Sequence, residues 1–246
     1  SLAILGALEP SVDADGLRRG NAAVIDFLDY LQGLVAERRQ RPSQDRDDVL
    51  SRLILEADRG ESGRNGETAE PLDNRVLLHN CIFILNAGHE TTTNLIGNGI
   101  KLLLDIDGLA TRLRAEPTLL PGAVEEMLRL QSPNQLGNRM VVRPVHVGGE
   151  LLAPGTPVTL CIGAANRDPA VFAEPDRFLA ERDPNPHLAF GHGPHLCAGL
   201  AVARMEARIA LGRLLARFPV LRADGPPRLA GRVRFRGYRN LPLRVD

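Results

Sequence analysis

Net charge is missing from this chain: Lys plus Arg and Asp plus Glu each number 30 in 246 residues. No global field draws it to nucleic acid or to an anionic membrane, so a charged partner has to be met by a local patch. Cysteine is scarce and unpaired. Cys81, Cys161 and Cys197 are odd in number, widely spaced and form no Cys-x-x-Cys, which speaks against a disulfide framework and for a reducing, cytoplasmic location. Long uncharged apolar runs are also lacking. None approaches the roughly 18 residues of a membrane-spanning helix, and the opening run Leu2 to Leu8 ends in Glu9-Pro10 rather than in a signal-peptide cleavage site. There is no internal repeat and no low-complexity tract. What remains, 43% apolar residues, is ample for a buried core.

Helical spacing recurs through the first half. Val24, Phe27, Leu28, Leu31, Leu34 and Val35 define an amphipathic helix over 21–39, closed by Pro42. A shorter helix over 47–57 precedes a polar, glycine-containing stretch, 58–70, that reads as a flexible loop. The longest helical pattern spans about 71–104, with Pro71 suited to a first turn and Asp73 to the positive N-terminal end. Its centre is unusual: Gly88, Glu90 and three consecutive threonines interrupt an apolar helix, and glycine and β-branched residues are poor helix formers. Helices are also expected over 111–115 and 121–130. Valines set among Gly148-Gly149 and Pro154-Gly155 between 139 and 160 predict short strands and tight turns. A Pro-, Asp- and Asn-rich irregular segment covers 166–194, a strong helix 199–218, and short strands 233–245. Cys81 and Cys161 lie in apolar runs and are expected in the core.

The sharpest chemical signal is Phe190-Gly-His-Gly-Pro-His-Leu-Cys197-Ala-Gly199, a loop whose glycines let backbone approach a ligand closely and which delivers a cysteine to a helix N-terminus. The positive end of a helix favours an anionic sulfur, the form that binds metal. Two other readings of these residues exist. Cys197 can be an inert buried cysteine, although such a residue needs no glycine loop. His192, His195 and Cys197 can together hold zinc, although a structural site wants four ligands and no second pair lies nearby.

Phe190, Gly193, Cys197 and Gly199 fall on the Phe-x-x-Gly-x-x-x-Cys-x-Gly signature, and here the chain resembles the cytochrome P450 family. The resemblance implies the family's mainly α fold with small β-sheets (α+β), a haem b (iron protoporphyrin IX) cofactor ligated by the Cys197 thiolate, and O2 as co-substrate. It places Phe190, Gly191 and Gly199 against the haem and makes His195 and Arg139 propionate partners, with His192 a hydrogen-bonding loop residue. Ala87-Gly88-His89-Glu90-Thr91-Thr92 resembles the family's oxygen-binding segment: Ala87 and Gly88 leave room beside the helix, Thr91 serves bound oxygen, and Glu90 relays protons through water. A Thr hydroxyl bonding back to a carbonyl can open the helical ladder there, whereas a bland Thr run is merely exposed or capping. Glu126-Met-Leu-Arg129 matches the family's Glu-x-x-Arg, whose residues share a helix face at i and i+3. Arg177 in Pro175-Asp-Arg-Phe178 is the expected third partner of that buried structural pair, and Asn166-Arg-Asp-Pro169 is also typical of the family.

Further expectations follow from the same resemblance. The chain corresponds to the C-terminal portion of a single P450 domain, its N-terminal part absent. The activity implied is insertion of one oxygen atom of O2 into a small organic substrate, with electrons from a ferredoxin-type donor. The alternative is a degenerate haem-binding fragment that cannot turn over. Arg204 and Arg208, one turn apart after Cys197, are expected either to dock that donor or to form a solvated helix face. Phe83, Asn86, Asn134, Gln135 and Tyr238 are the expected substrate-facing positions. Neither nucleic acid nor a membrane segment has a place in this reading.

Overall fold

The computed structural model describes residues 2–40, 48–59 and 73–246. The chain divides into two units, 1–90 and 91–246. The first contains α1 (Leu2–Gly6), α2 (Ala14–Gln40), α3 (Val49–Arg59) and the beginning of α4 (Asn74–Asp105). Helix α2 starts seven residues ahead of the expected Asn21 because Asp13 precedes it and its Oδ1 accepts the Gly16 amide at 2.6 Å, a capping bond that satisfies an otherwise unpaired donor. Asp48 does the same for α3, accepting the Ser51 amide at 3.0 Å and Arg38 Nη1 at 2.5 Å. The Ser51 amide first and Arg38 second hold the Asp48 carboxyl at about 2. Leu31, Val35, Ile54, Ala57, Leu77, Leu78 and Ile82 form this unit's apolar cluster, with Cys81 at its edge. Burial pushes the Cys81 thiol up. Most of the expected loop over 58–70, together with Asp47 and Pro71, lies outside the described residues; Asp58 and Arg59 close α3.

The second unit holds α5 (Leu109–Ala115), α6 (Leu120–Leu130), the short α7 (Ile162–Ala165) and α8 (Leu200–Arg217). Four small antiparallel sheets accompany them: β1 (Leu136–Met140) with β4 (Pro157–Cys161), β2 (Val145–Val147) with β3 (Glu150–Leu152), β5 (Leu221–Ala223) with β8 (Leu243–Val245), and β6 (Arg228–Leu229) with β7 (Tyr238–Asn240). Gly148 and Gly149, with φ of 57° and 89°, make the two-residue turn of the β2–β3 hairpin, a conformation that favours glycine at both positions. Leu95 and Leu103 of α4, Leu113 of α5, Val124, Met127 and Leu128 of α6, and Ala207, Leu211 and Leu215 of α8 close the core. Burying each such leucine contributes about 1.5–3 kcal/mol. Gly122 brings α6 onto the irregular segment, since a Cβ there would lie 2.1 Å from the Ala180 carbonyl oxygen.

The architecture is mainly α with small sheets, as expected. Helix α4 runs unbroken from Asn74 to Asp105 through the glycine and threonines, in keeping with the helix expected over about 71–104; buried residues flank them on both sides and packing outweighs weak propensity. Two details differ. Cys161 is exposed rather than buried: it ends β4, a strand exposed at four of its five positions, so its apolar neighbours in sequence are not neighbours in a core. Strands β5 and β6 were not expected; at three and two residues they are too short to carry a periodicity.

Candidate functional site

The cysteine loop is held by backbone hydrogen bonds and left bare. The Cys197 amide donates to the Phe190 carbonyl at 3.0 Å, Gly191 to Leu188 at 2.9 Å and Leu196 to Gly193 at 3.0 Å. Gly191 and Gly193 adopt φ of 72° and 76°, left-handed conformations that a side chain would strain. Residues 192–199 are nevertheless all exposed, Leu196 at 50%, and a Cβ at Gly193 would meet nothing within 4 Å. Gly199 caps α8, and its carbonyl accepts the Ala203 amide at 2.9 Å. Among the described residues no three His, Cys, Asp or Glu side chains gather around a metal-sized space, so the zinc reading of His192, His195 and Cys197 has no geometry behind it. A single exposed sulfur on a glycine-lined, ordered loop fits a metal that arrives with its other ligands, as haem iron does. Phe190 and Gly191 begin this loop and His195 ends its single 3-10 turn. Arg139 lies on β1 with an exposed guanidinium donating to the Asn138 carbonyl at 2.8 Å.

A buried ion cluster anchors the segment leading into the loop. Arg129 and Glu126 are fully buried and paired twice, Nε to Oε2 and Nη2 to Oε1, both at 2.7 Å. Arg129 also donates to the carbonyls of Asn166, Pro175 and Arg177 at 2.8, 2.7 and 3.1 Å. The expected third partner, the Arg177 side chain, is elsewhere: it is 64% exposed and bonded to Glu174. Arg182 takes the place, its Nε 3.1 and 3.2 Å from the two Glu126 oxygens and its side chain 7% exposed. Arg177 contributes only its carbonyl, because the irregular backbone turns its side chain outward. Asn185 and the Leu179 amide complete the shell of Glu126 at 3.1 Å each. Burial alone would raise the Glu126 carboxyl; Arg129, the Leu179 amide and Arg182 outweigh it and hold it low. Asn166, wholly buried, ties the ends together by accepting the Leu188 amide at 2.7 Å and donating to Ser132 Oγ at 2.8 Å. Arg182 and Asn185 escaped the sequence reading because an irregular segment has no periodicity to mark which side chains turn inward.

Arg204 is not the free docking cation that its position on α8 implied. It grips Glu125 through Nε, 2.8 Å from Oε1, and Nη2, 2.7 Å from Oε2, and lies over the Phe190 ring at 4.7 Å. Arg208, 41% exposed, stands 3.5 Å from the same carboxylate. One acidic residue on a neighbouring helix therefore absorbs much of the expected basic patch.

The segment that resembles the family's oxygen-binding motif occupies the middle of α4. Ala87, Gly88 and His89 are exposed, Thr91 is half-buried, and Glu90 is 6% exposed. Asn86, Glu90, Asn94 and Asn98 are all buried and recur every four residues, so they share one polar stripe along the helix. Asn94 and Asn98 were not singled out in the sequence. Asn98 donates to the carbonyls of Gln131 and Arg236 at 3.1 and 3.2 Å. Asn86 is buried, and its side-chain amide bonds back to the Ile82 carbonyl at 2.7 Å. Phe83 is 70% exposed. Asn134 and Gln135 do meet the segment before Tyr238: Asn134 bridges Phe235, the Gln135 amide donates to the Arg234 carbonyl at 2.8 Å, and a cavity of about 430 Å³ lies between, lined by Gln135, Leu136, Cys161, Val233 and Arg236 among others.

Fold and site together define a class: a predominantly helical protein that presents one cysteine on a rigid glycine loop, braced by a buried Glu-x-x-Arg pair. The sequence profile of the cytochrome P450 family matches residues 14–232, and the chain belongs to that family. It is 38% identical over 231 residues to the biotin biosynthesis cytochrome P450 of Bacillus subtilis, covering 94% of this chain and 55% of that protein. It is 39% identical over 237 residues to the cytochrome P450 monooxygenase PikC of Streptomyces venezuelae, covering 94% and 54%. Among solved structures, P450BioI in complex with an acyl carrier protein ligated to hexadec-9Z-enoic acid superposes with a TM-score of 0.90 at 34% identity, over 100% of this chain and 60% of that one. CYP109E1 from Bacillus megaterium in complex with corticosterone superposes with a TM-score of 0.82 at 32% identity, over 98% and 63%. The chain spans about half the length of the curated relatives it matches. No described helix is long and apolar enough to cross a membrane.

Proposed function

We propose that this chain carries the thiolate centre of a cytoplasmic haem-thiolate monooxygenase that inserts one atom of O2 into a small organic substrate, using electrons from a ferredoxin-type partner. The observation that carries the reading is Cys197, exposed at the end of a loop whose backbone is pinned by Phe190 and whose glycines leave the sulfur uncovered. Haem b, when bound, supplies O2 binding and O–O cleavage, the latter favoured by electron donation from a thiolate.

The residues divide the remaining work. Cys197 would ligate the iron, Phe190, Gly191 and Gly199 would hold the haem on the cysteine side, and His195 and Arg139 would bond its propionates. On α4, Ala87 and Gly88 keep the helix surface free of bulk, the Thr91 hydroxyl holds a proton where oxygen is bound, and the Glu90 carboxyl replenishes it. Gln135, which lines the cavity, and Asn134 and Tyr238, which adjoin lining residues in sequence, face the substrate. Arg208, more exposed than Arg204, remains a contact for the electron donor.

The test is the absorption spectrum of the haem-loaded protein after reduction under carbon monoxide. A strongly red-shifted Soret band is expected, and Cys197→Ala should abolish it. A band at the position of histidine-ligated haem in the parent protein would overturn the proposal. Thr91→Ala should keep the band and uncouple O2 consumption from product formation, whereas haem binding with no O2 consumption in the unsubstituted protein would reduce the reading to haem binding alone.

A further inference from the structure

Neighbouring carboxylates on α6 serve different parts of the chain. Glu126 holds the segment running into the loop; Glu125, about 100° around the helix, holds His187 just before the loop and Arg204 just after it. His187 is buried, its side chain 3% exposed, and its Nε2 lies 3.0 Å from Glu125 Oε2. Its Nδ1 accepts the Ala189 amide at 3.3 Å, which leaves Nε2 as the nitrogen that donates to the carboxylate. The His187 ring packs on Phe190 with centroids 6.0 Å apart, while the Arg204 guanidinium lies over the same ring at 4.7 Å. Phe190 is therefore in contact with two side chains that are both fastened to Glu125. Its carbonyl accepts the Cys197 amide. An unbroken chain of directional contacts runs from α6 through Glu125, His187 and Arg204 to Phe190 and on to Cys197.

We propose that Glu125, His187 and Arg204 form a positioning clamp that sets the pose of the Phe190 carbonyl and, through the amide bonded to it, the pose of the Cys197 sulfur. The inference rests on the haem-thiolate reading for its consequence at the iron but not for the clamp itself. Glu125 is the shared anchor, His187 a donor of fixed tautomer, and Arg204 a lid on the outer face of the Phe190 ring. None of the three touches the sulfur; they act through Phe190. A cation that merely awaited a redox partner would have no reason to be spent on two bonds to a carboxylate and a ring face.

His187→Phe keeps an aromatic ring against Phe190 and removes both hydrogen bonds; His187→Gln returns a donor toward Glu125. Amide hydrogen exchange of residues 190–197, measured on the full chain with and without haem, reads the clamp directly. Losing a bond to a charged group at this site should speed exchange of the Cys197 amide by about tenfold or more, with His187→Gln recovering part of the protection and the β2–β3 hairpin unaffected. In the haem-loaded protein, His187→Phe should also shift the iron–sulfur stretching frequency and the reduction potential, whereas Arg213→Ala, at an exposed cation further along α8, should leave both in place. Arg204→Met provides a second perturbation in the same direction should His187→Phe not fold. Unchanged loop exchange in His187→Phe and Arg204→Met overturns the clamp. A wild-type protein lacking the thiolate signature overturns the haem reading instead, and the exchange measurement without haem still decides the clamp.

Discussion

Replacing Arg182 with Met removes a guanidinium that donates to both oxygens of Glu126 and to the carbonyls of Ala173, Glu174 and Arg177. The side chain is 7% exposed and its partner wholly buried, so water does not replace the lost bonds to Glu126. Breaking a buried ion pair costs roughly 3–5 kcal/mol. The lower end, about 3 kcal/mol, applies here because Arg129, Asn185 and the Leu179 amide stay on Glu126. For a chain of this size that lowers the melting temperature by roughly 6–12 °C. Arg177→Met is the matched control. Its side chain is 64% exposed and, among the described residues, its guanidinium bonds the exposed Glu174, an interaction worth about 0–1 kcal/mol. Thermal and guanidinium unfolding of the two variants beside the parent protein decides between them. Equal losses, or a larger loss for Arg177→Met, would refute the assignment of Arg182 as the third member of the buried cluster.

Acid should loosen the cysteine loop. Burial alone would raise the Glu125 carboxyl, but His187 and then Arg204 outweigh it and hold it at about 2 against an ordinary 4.5. A depressed folded-state value contributes stability that is fully present above about pH 4.5 and disappears as pH falls toward 2, so a loss of loop protection over that window, taken relative to the intrinsic exchange rate at each pH, and its absence in Glu125→Gln, is the expected pair of results. Gly122→Ala should destabilise by about 2–3 kcal/mol, because a backbone carbonyl 2.1 Å from the new Cβ has no room to yield. Gly97→Ala, in the interior of α4 with nothing within 4 Å, should instead stabilise by roughly 0.5–1 kcal/mol; denaturant midpoints measure both. Alkylation of the haem-free chain at pH 8 should label the exposed Cys161 and Cys197 before Cys81, whose thiol burial pushes up; mass spectrometry of peptides gives the order.

Sequence patterns reported reliably wherever the signal was local. The helices over 21–39, 121–130 and 199–218 announce themselves by the repeat of their apolar residues, and the glycine pair at 148–149 by the backbone it permits. The cysteine loop is equally local: ten consecutive residues hold its glycines, its cysteine and its helix start. Glu126 and Arg129 lie one turn apart on one helix, so their pairing needs no knowledge of the rest of the chain.

Where partners come from an irregular segment, the amino-acid order is silent. Arg177 and Arg182 are both arginines among prolines and acidic residues, and only the path of the backbone turns the second inward and the first outward. Cys161 looks like a core residue beside Leu160 and Ile162, yet it ends an exposed strand. Arg204 reads as a surface cation until Glu125, 79 residues earlier, closes on it. Periodicity and short motifs determined which elements form and which sulfur is presented. Which charges meet in the interior, and so how firmly that sulfur is held, was decided only when distant segments came together, because the cost of burying a charge depends on a partner that its neighbours in sequence do not reveal.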